Sequence, residues 1–265
     1  MWLSVEHVTR FSYDDAISEA YTELRLKPSH RDGQRCSSFS LVPEPRGATV
    51  AEYVDRFGNT VHHFDVLEQH ERIAVTARSE VWTTQRLVDT APLSPLDRFD
   101  FLAPSRYVAL EDGLTQLAGS VTVSDAADAA RSLMRSVREA MTYERGTTNV
   151  HTTAAEALAE GRGVCQDFSH VMLGACRAAG IPARYVSGYL YDPSQGDLGE
   201  SHAWVDVHTG DDGWLSLDPT HDTEQDEHYV RVGVGRDYGD VPPSRGVYKG
   251  SADETLEVAV TIREP

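Results

Sequence analysis

Basic residues are scarce in this chain: its 265 residues carry 24 lysines and arginines against 42 aspartates and glutamates, a formal net charge of −18. A surface this acidic repels phosphate backbones and anionic headgroups, which argues against nucleic acid and membrane as partners. Cysteine is sparse too. Cys36, Cys165 and Cys176 are the three present, an odd number that closes no disulfide framework and reads as free thiols in a reducing compartment. No uncharged apolar run approaches the roughly 20 residues that cross a bilayer. The opening Met1-Trp2-Leu3-Ser4-Val5-Glu6-His7 meets charge too early for a secretory leader, so the expected location is cytoplasmic. Internal repeats and low-complexity tracts are absent. Asp206, His208, His221 and Asp222 lie near His202 in sequence, but without a compact ligand motif such as His-Glu-x-x-His, and no Asp-x-Asp-x-Asp-Gly calcium loop occurs. Neither a metal nor another cofactor is expected.

What is there suits a folded chain of about two domains at roughly 150 residues each. From Leu3 to about Thr84 the pattern is that of strands: Leu3, Val5, His7, Thr9 and Phe11 alternate with polar neighbours, and residues 72–77 and 81–82 repeat the β-branched signal. Phe57-Gly58-Asn59 reads as a hairpin turn. These strands predict an antiparallel β domain over residues 1–88, followed by an α+β domain over residues 89–265. Pro92, Pro95 and Pro104 suggest a linker over 91–105. A helix capped by Ser124 is expected next, with Ala126, Ala130, Leu133, Met134, Val137 and Met141 on one face. Thr153 and Glu156 form a capping box for a short second helix, and a third should run from Val164 or Cys165 to Ala179, closed by Gly180. Strands are expected over 184–191, 201–208, 214–217 and 255–262.

Cys165 falls at the head of that third helix, where unpaired N–H groups and the macrodipole favour a thiolate. A free thiol with pKa near 8.5 is about 3% ionised at pH 7; full ionisation requires about 3.4 kcal/mol, and a helix start supplies up to about 2. A cationic partner is needed. In Ser201-His202-Ala203-Trp204-Val205-Asp206-Val207, alternation puts His202, Trp204 and Asp206 on one face, which reads as polar and wet. The strand turns at residues 209–213 and returns as Trp214 to Asp218. If His208 faces Trp214 or Asp212, the paired residue numbers sum to 422 or 420; either even sum places His202 and Asp218 on the same face. Nucleophile, base and orienter are thereby available. Cys176, in the apolar stripe of the same helix, reads as packing, His170 as a solvated or capping residue, and Asp167 as an offset to the helix dipole.

The runs Gly161-Arg162-Gly163-Val164-Cys165-Gln166-Asp167-Phe168, Gly180-Ile181-Pro182-Ala183-Arg184-Tyr185-Val186-Ser187-Gly188-Tyr189, Ser201-His202-Ala203-Trp204-Val205 and Trp214-Leu215-Ser216-Leu217-Asp218-Pro219-Thr220 resemble the bacterial transglutaminase-like family. The opening strands look like its N-terminal domain. Gly235-Arg236-Asp237-Tyr238, Val241-Pro242-Pro243 and Arg245-Gly246-Val247-Tyr248 are similar to its closing segment. The resemblance implies a papain-like Cys-His-Asp triad, here Cys165, His202 and Asp218, on an α+β transglutaminase-like core. Gln166, Trp204, Arg236 and Tyr238 are candidate substrate contacts. The expected activity is hydrolysis of an amide in a peptide or protein carboxamide substrate through a thioester. Acyl transfer to an amine and a non-catalytic binding module on the same fold are the alternatives.

Overall fold

In the computed structural model the described residues are 1–31, 33–85, 92–119, 121, 123 and 125–265. Along β1 (Trp2–Ile17), Leu3, Val5, His7, Thr9 and Phe11 are all buried, so the period-2 pattern marks a real inward face. The chain continues through β2 (Glu19–Leu24), β3 (Gln34–Glu44), β4 (Ala51–Val54), β5 (Thr60–Val66) and β6 (His70–Thr83). Strand β1 pairs with β6 and β6 with β3, while β2, β5 and β4 belong to a second antiparallel sheet. Phe11, Ile17, Leu24, Phe64, Ile73 and Val75 pack together as one core. The expected turn joins β4 to β5, with Asp55 and Asn59 closing it by backbone hydrogen bonds.

Two helices lie where no helix is expected from the residue pattern. One is α1 (Pro95–Leu102), inside the expected linker: the Ser94 side chain accepts from Asp97 N–H, and Pro95 occupies the first turn, where no donor is required. The other is α2 (Asp112–Gly119). Next comes α3 (Ala126–Ala140), capped by Asp125, which accepts from Asp128 N–H; the expected cap Ser124 lies outside the described residues. Then follow β7 (Thr142–Tyr143), α4 (Ala154–Glu160) with the Thr153/Glu156 capping box in place, β8 (Arg162–Gly163) and α5 (Cys165–Ala178). Gly180, at φ +75°, ends α5 in the left-handed conformation that a side chain would resist.

The remaining strands are β9 (Ala183–Leu190), β10 (Leu198–His208), β11 (Trp214–Asp218), β12 (Thr223–Glu224), β13 (Tyr229–Gly235), β14 (Ser244–Lys249) and β15 (Glu254–Arg263). Strand β10 links the two halves of the molecule. Its first residues pair with β15, and its body pairs with β9 on one edge and β11 on the other. The expected domain division near residue 88 falls outside the described residues. Strands β14 and β15 pair with β2 and β1, so residues 244–263 complete the N-terminal sheets. Helix α5 packs through Phe168, Met172 and Ala175 against Leu114, Leu133 and Val137, and against Ala203, Val205 and Val207 of β10. That packing fixes the head of the helix relative to the strand. Among the described residues no helix is long and apolar enough to cross a membrane.

The other face of β10 is also buried, contrary to the expected wet surface. Trp204 packs with Val186, Tyr229 and Val234, and Phe57 of the N-terminal region lies against them. Further along, Asp206 is fully buried and accepts from Arg184 Nε at 2.8 Å, Arg231 Nη2 at 2.7 Å and the Ser216 hydroxyl at 2.6 Å. Burial alone would raise the Asp206 carboxyl, but Arg231 and Arg184 outweigh it and hold it well below the usual range. Asp206→Asn would leave two buried guanidiniums without their counter-charge. It should cost about 3 kcal/mol or more, read by urea unfolding at an unchanged m value; a loss under about 1 kcal/mol would contradict this account of the network.

Candidate functional site

The turn before α5 is shaped around Asp167. Its Oδ2 accepts from Val164 N–H at 2.8 Å and from the Thr148 hydroxyl at 2.7 Å, so it caps the helix start and ties it to the loop that follows β7. A side chain at Gly163 would place Cβ 2.5 Å from that oxygen, which only glycine avoids. Cys165 is thus the first residue of a firmly anchored helix, half-buried, with an N–H that has no carbonyl partner within the helix.

His202 lies beside it on β10. The hairpin takes the register that sums to 422, pairing His208 with Trp214 and Val205 with Leu217. Asp218 therefore lies diagonal to His202, and His202 Nε2 approaches Asp218 Oδ2 to 2.7 Å. A carboxylate only accepts, so Nε2 carries the proton and Nδ1 is the nitrogen left for Cys165. Burial acts to lower the His202 pKa, but Asp218 first and then the neighbouring Cys165 overcome it and push the imidazole up to about 10. Burial would likewise raise Asp218, yet His202 and His221 hold it well below the usual carboxylate range. The pair consequently favours the folded state from above that acid range, and this contribution is lost as pH rises through about 10.

Two partners of Asp218 escape a reading of the sequence. Tyr229, from β13, donates its hydroxyl to Oδ2 at 2.8 Å, and His221 Nδ1 donates to the same oxygen at 2.7 Å, while Thr220 N–H occupies Oδ1 at 2.9 Å. His221 stands three residues from Asp218, a spacing that could have signalled it; nothing local marks Tyr229. Donor atoms of His202, Asp218 and His221 all lie within 4.8 Å of one another, and a cation could be held there only by displacing the protons that the two imidazoles give to Asp218. Of the other residues weighed for a metal, Asp206 and His208 sit further along β10, where Asp206 is taken by Arg184 and Arg231, and Asp222 is exposed next to His221.

In front of the imidazole lies a cleft of about 420 Å³. Tyr143, Arg145, Leu190 and Glu200 line it together with Thr220, His221 and His202. None of the four expected substrate contacts lines it. Trp204 is wholly buried and stacks behind His202 at 6.2 Å between ring centroids, a support for the imidazole. Gln166 donates to the Val150 carbonyl at 3.3 Å. Arg236 is paired with Asp240 at 2.8 Å, forming the salt-linked turn, and Tyr238 packs edge-on against Tyr185. His170 is buried instead of solvated: it stacks on Tyr107, accepts from Tyr238 N–H at 3.2 Å, and burial lowers its pKa to about 4. The segment around Tyr238 covers a helix face that looks open in the sequence.

Residues 115–219 match the core of the transglutaminase-like superfamily, and residues 3–82 match the bacterial transglutaminase-like N-terminal region. An uncharacterized protein of Mycobacterium leprae is 35% identical over 280 aligned residues, covering 99% of both chains. A solved chain from Cytophaga hutchinsonii, provisionally assigned as a cysteine protease, superposes with a TM-score of 0.80 at 22% identity, covering 100% of this chain and 91% of its own, a likeness of fold. Protein-glutamine gamma-glutamyltransferase of Pseudomonas aeruginosa is 35% identical over 100 residues, 33% of this chain and 15% of its own.

The three thiols differ sharply in surroundings. Burial raises Cys36, and it pushes Cys176 up to about 12, whereas Cys165 adjoins the His202 imidazolium. Iodoacetamide at about pH 6.5 should therefore modify Cys165 at least about tenfold faster than either of the others, read by peptide mass spectrometry. Equal labelling would remove the case for an activated thiol and favour a binding module.

Proposed function

The chain belongs to the transglutaminase-like superfamily, and on that premise we propose that it is a cysteine-dependent hydrolase of amide bonds working through a thioester on Cys165. The observation that carries this reading is the His202–Asp218 contact at 2.7 Å, with Cys165 adjoining the imidazole. In the first half-reaction Cys165 Sγ attacks the carboxamide carbon and the developing oxyanion is met by the Cys165 N–H. The His202 imidazolium then gives its proton from Nδ1 to the leaving nitrogen, the C–N bond breaks, and the thioester remains. Water attacks next, His202 taking its proton, the C–S bond breaks, and the carboxylic acid leaves with the thiolate and imidazolium restored. Asp218 keeps the ring oriented throughout and stabilises the imidazolium whenever it forms.

Hydrolysis and amine transfer share every step to the thioester. Water is present at about 55 M and an amine at millimolar levels, so transfer prevails only where a roofed, apolar channel excludes one and aligns the other. The buried face of β10 withdraws the polar strand surface as a reason to favour water. The cleft supplies a better one: Leu190 is the sole aliphatic side chain among the residues lining it, and neither Trp204 nor Trp214 reaches it. Trp214 lies under the Arg184 guanidinium at 3.9 Å, at the far end of the hairpin.

With one glutamine-peptide acyl donor and increasing primary amine, mass spectrometry should show mainly the hydrolysed product at low millimolar amine, with none formed by Cys165→Ala. Mainly amine adduct under those conditions would replace hydrolase by transferase.

A further inference from the structure

Charge in the cleft is distributed unlike charge over the molecule. In a chain with a net charge of −18, the cavity beside His202 presents two arginines, Arg138 from the end of α3 and Arg145 from the loop after β7. Its acids are already engaged. Asp192 accepts from the Ser194 backbone and hydroxyl and from Gln195, and Glu200 is paired with Arg145. Arg138 differs: its guanidinium donates to the Met141 carbonyl at 3.3 Å, and among the described residues no carboxylate pairs with it. The Arg145–Glu200 pair is solvent-exposed, with side-chain exposures of 67% and 46%, and contributes little to stability. An incoming carboxylate can therefore displace Glu200 from Arg145. A cavity of 420 Å³ is about 9 Å across, or some two to three residues of extended chain.

Resting on the thioester reading above, we propose that Arg138 and Arg145 form a carboxylate-binding subsite. The preferred substrates then carry a free carboxylate within about three residues of the attacked carbonyl. Arginine suits this use because its planar fork meets both oxygens of a carboxylate at once. The pairing also compensates for the repulsion that the acidic surface imposes on an anionic substrate.

Three alkylating probes test it on the intact protein: chloroacetyl-glycyl-glutamic acid α-amide, chloroacetyl-glycyl-glutamine α-amide, and chloroacetyl-glycyl-glutamine with a free C-terminus. The first and third carry a side-chain and a terminal carboxylate; the second carries none. The readout is the second-order rate of Cys165 labelling by mass spectrometry, divided by the rate with iodoacetamide. At least one carboxylate probe should label about tenfold faster than the neutral one, and whichever does identifies the source of the carboxylate. Arg138→Gln should collapse that ratio toward unity, with Arg138→Lys restoring part of it. Arg135→Gln removes the same charge one turn earlier on α3, outside the cleft, and should keep the ratio. Rates within about twofold for all three probes in the unmodified protein, or a ratio that survives in the Arg138→Gln/Arg145→Gln double variant, would overturn the subsite while leaving the hydrolase reading intact. Failure of iodoacetamide and all three probes to label Cys165 would overturn both.

Discussion

A single buried carboxylate organises the transglutaminase-like half of this protein. Asp218 receives His202, His221, Tyr229 and the Thr220 N–H, so four donors from three parts of the chain converge on two oxygens. An ionised carboxyl with no exposed surface is tolerable only with such a set of donors. Its charge in turn keeps a buried imidazole cationic, and that cation adjoins the one thiol at a helix start. Remove the carboxylate and the imidazole beside Cys165 loses the charge that holds it protonated.

The wider fold serves this convergence. Strand β10 joins the N-terminal sheet at residues 198–199 and carries His202 three residues later, so the β-rich half helps to fix the strand that bears the base. Asn59 reinforces the link from the N-terminal hairpin, exchanging hydrogen bonds of 2.8 Å in both directions with the backbone of Val234 on β13, the strand that also supplies Tyr229. Asp206, held by Arg184 and Arg231, fixes the far end of β10 against β9 and β13. Both faces of the strand are consequently enclosed, and solvent reaches His202 only slightly.

Local signals in the sequence were sufficient for most of the site. The Thr153/Glu156 box, the Gly180 stop and the alternation through 201–207 depend on near neighbours, and hairpin parity alone brought His202 and Asp218 to one face. Features that depend on remote chain segments were not legible. Trp204 looks available as a substrate contact until Val234 and Phe57 are placed over it, and His170 looks solvated until Tyr107 and Tyr238 cover it. Strand pairing of residues 244–263 with β1 and β2 belongs to the same class, since it joins opposite ends of the chain. Arg236 and Tyr238 carry polar groups that the turn around Asp240 and the His170 ring consume internally.

The charge state of His202 is the quantity on which everything above turns. Nitrogen-15 NMR of histidine-labelled protein, titrated over pH and compared with Asp218→Asn, reads it at the ring itself. The account predicts an imidazolium that persists through neutrality and is lost only near pH 10, and in Asp218→Asn a ring that is neutral at pH 7 because burial then acts against Cys165 alone. A His202 that titrates near the ordinary value of about 6.5 in both proteins would contradict it.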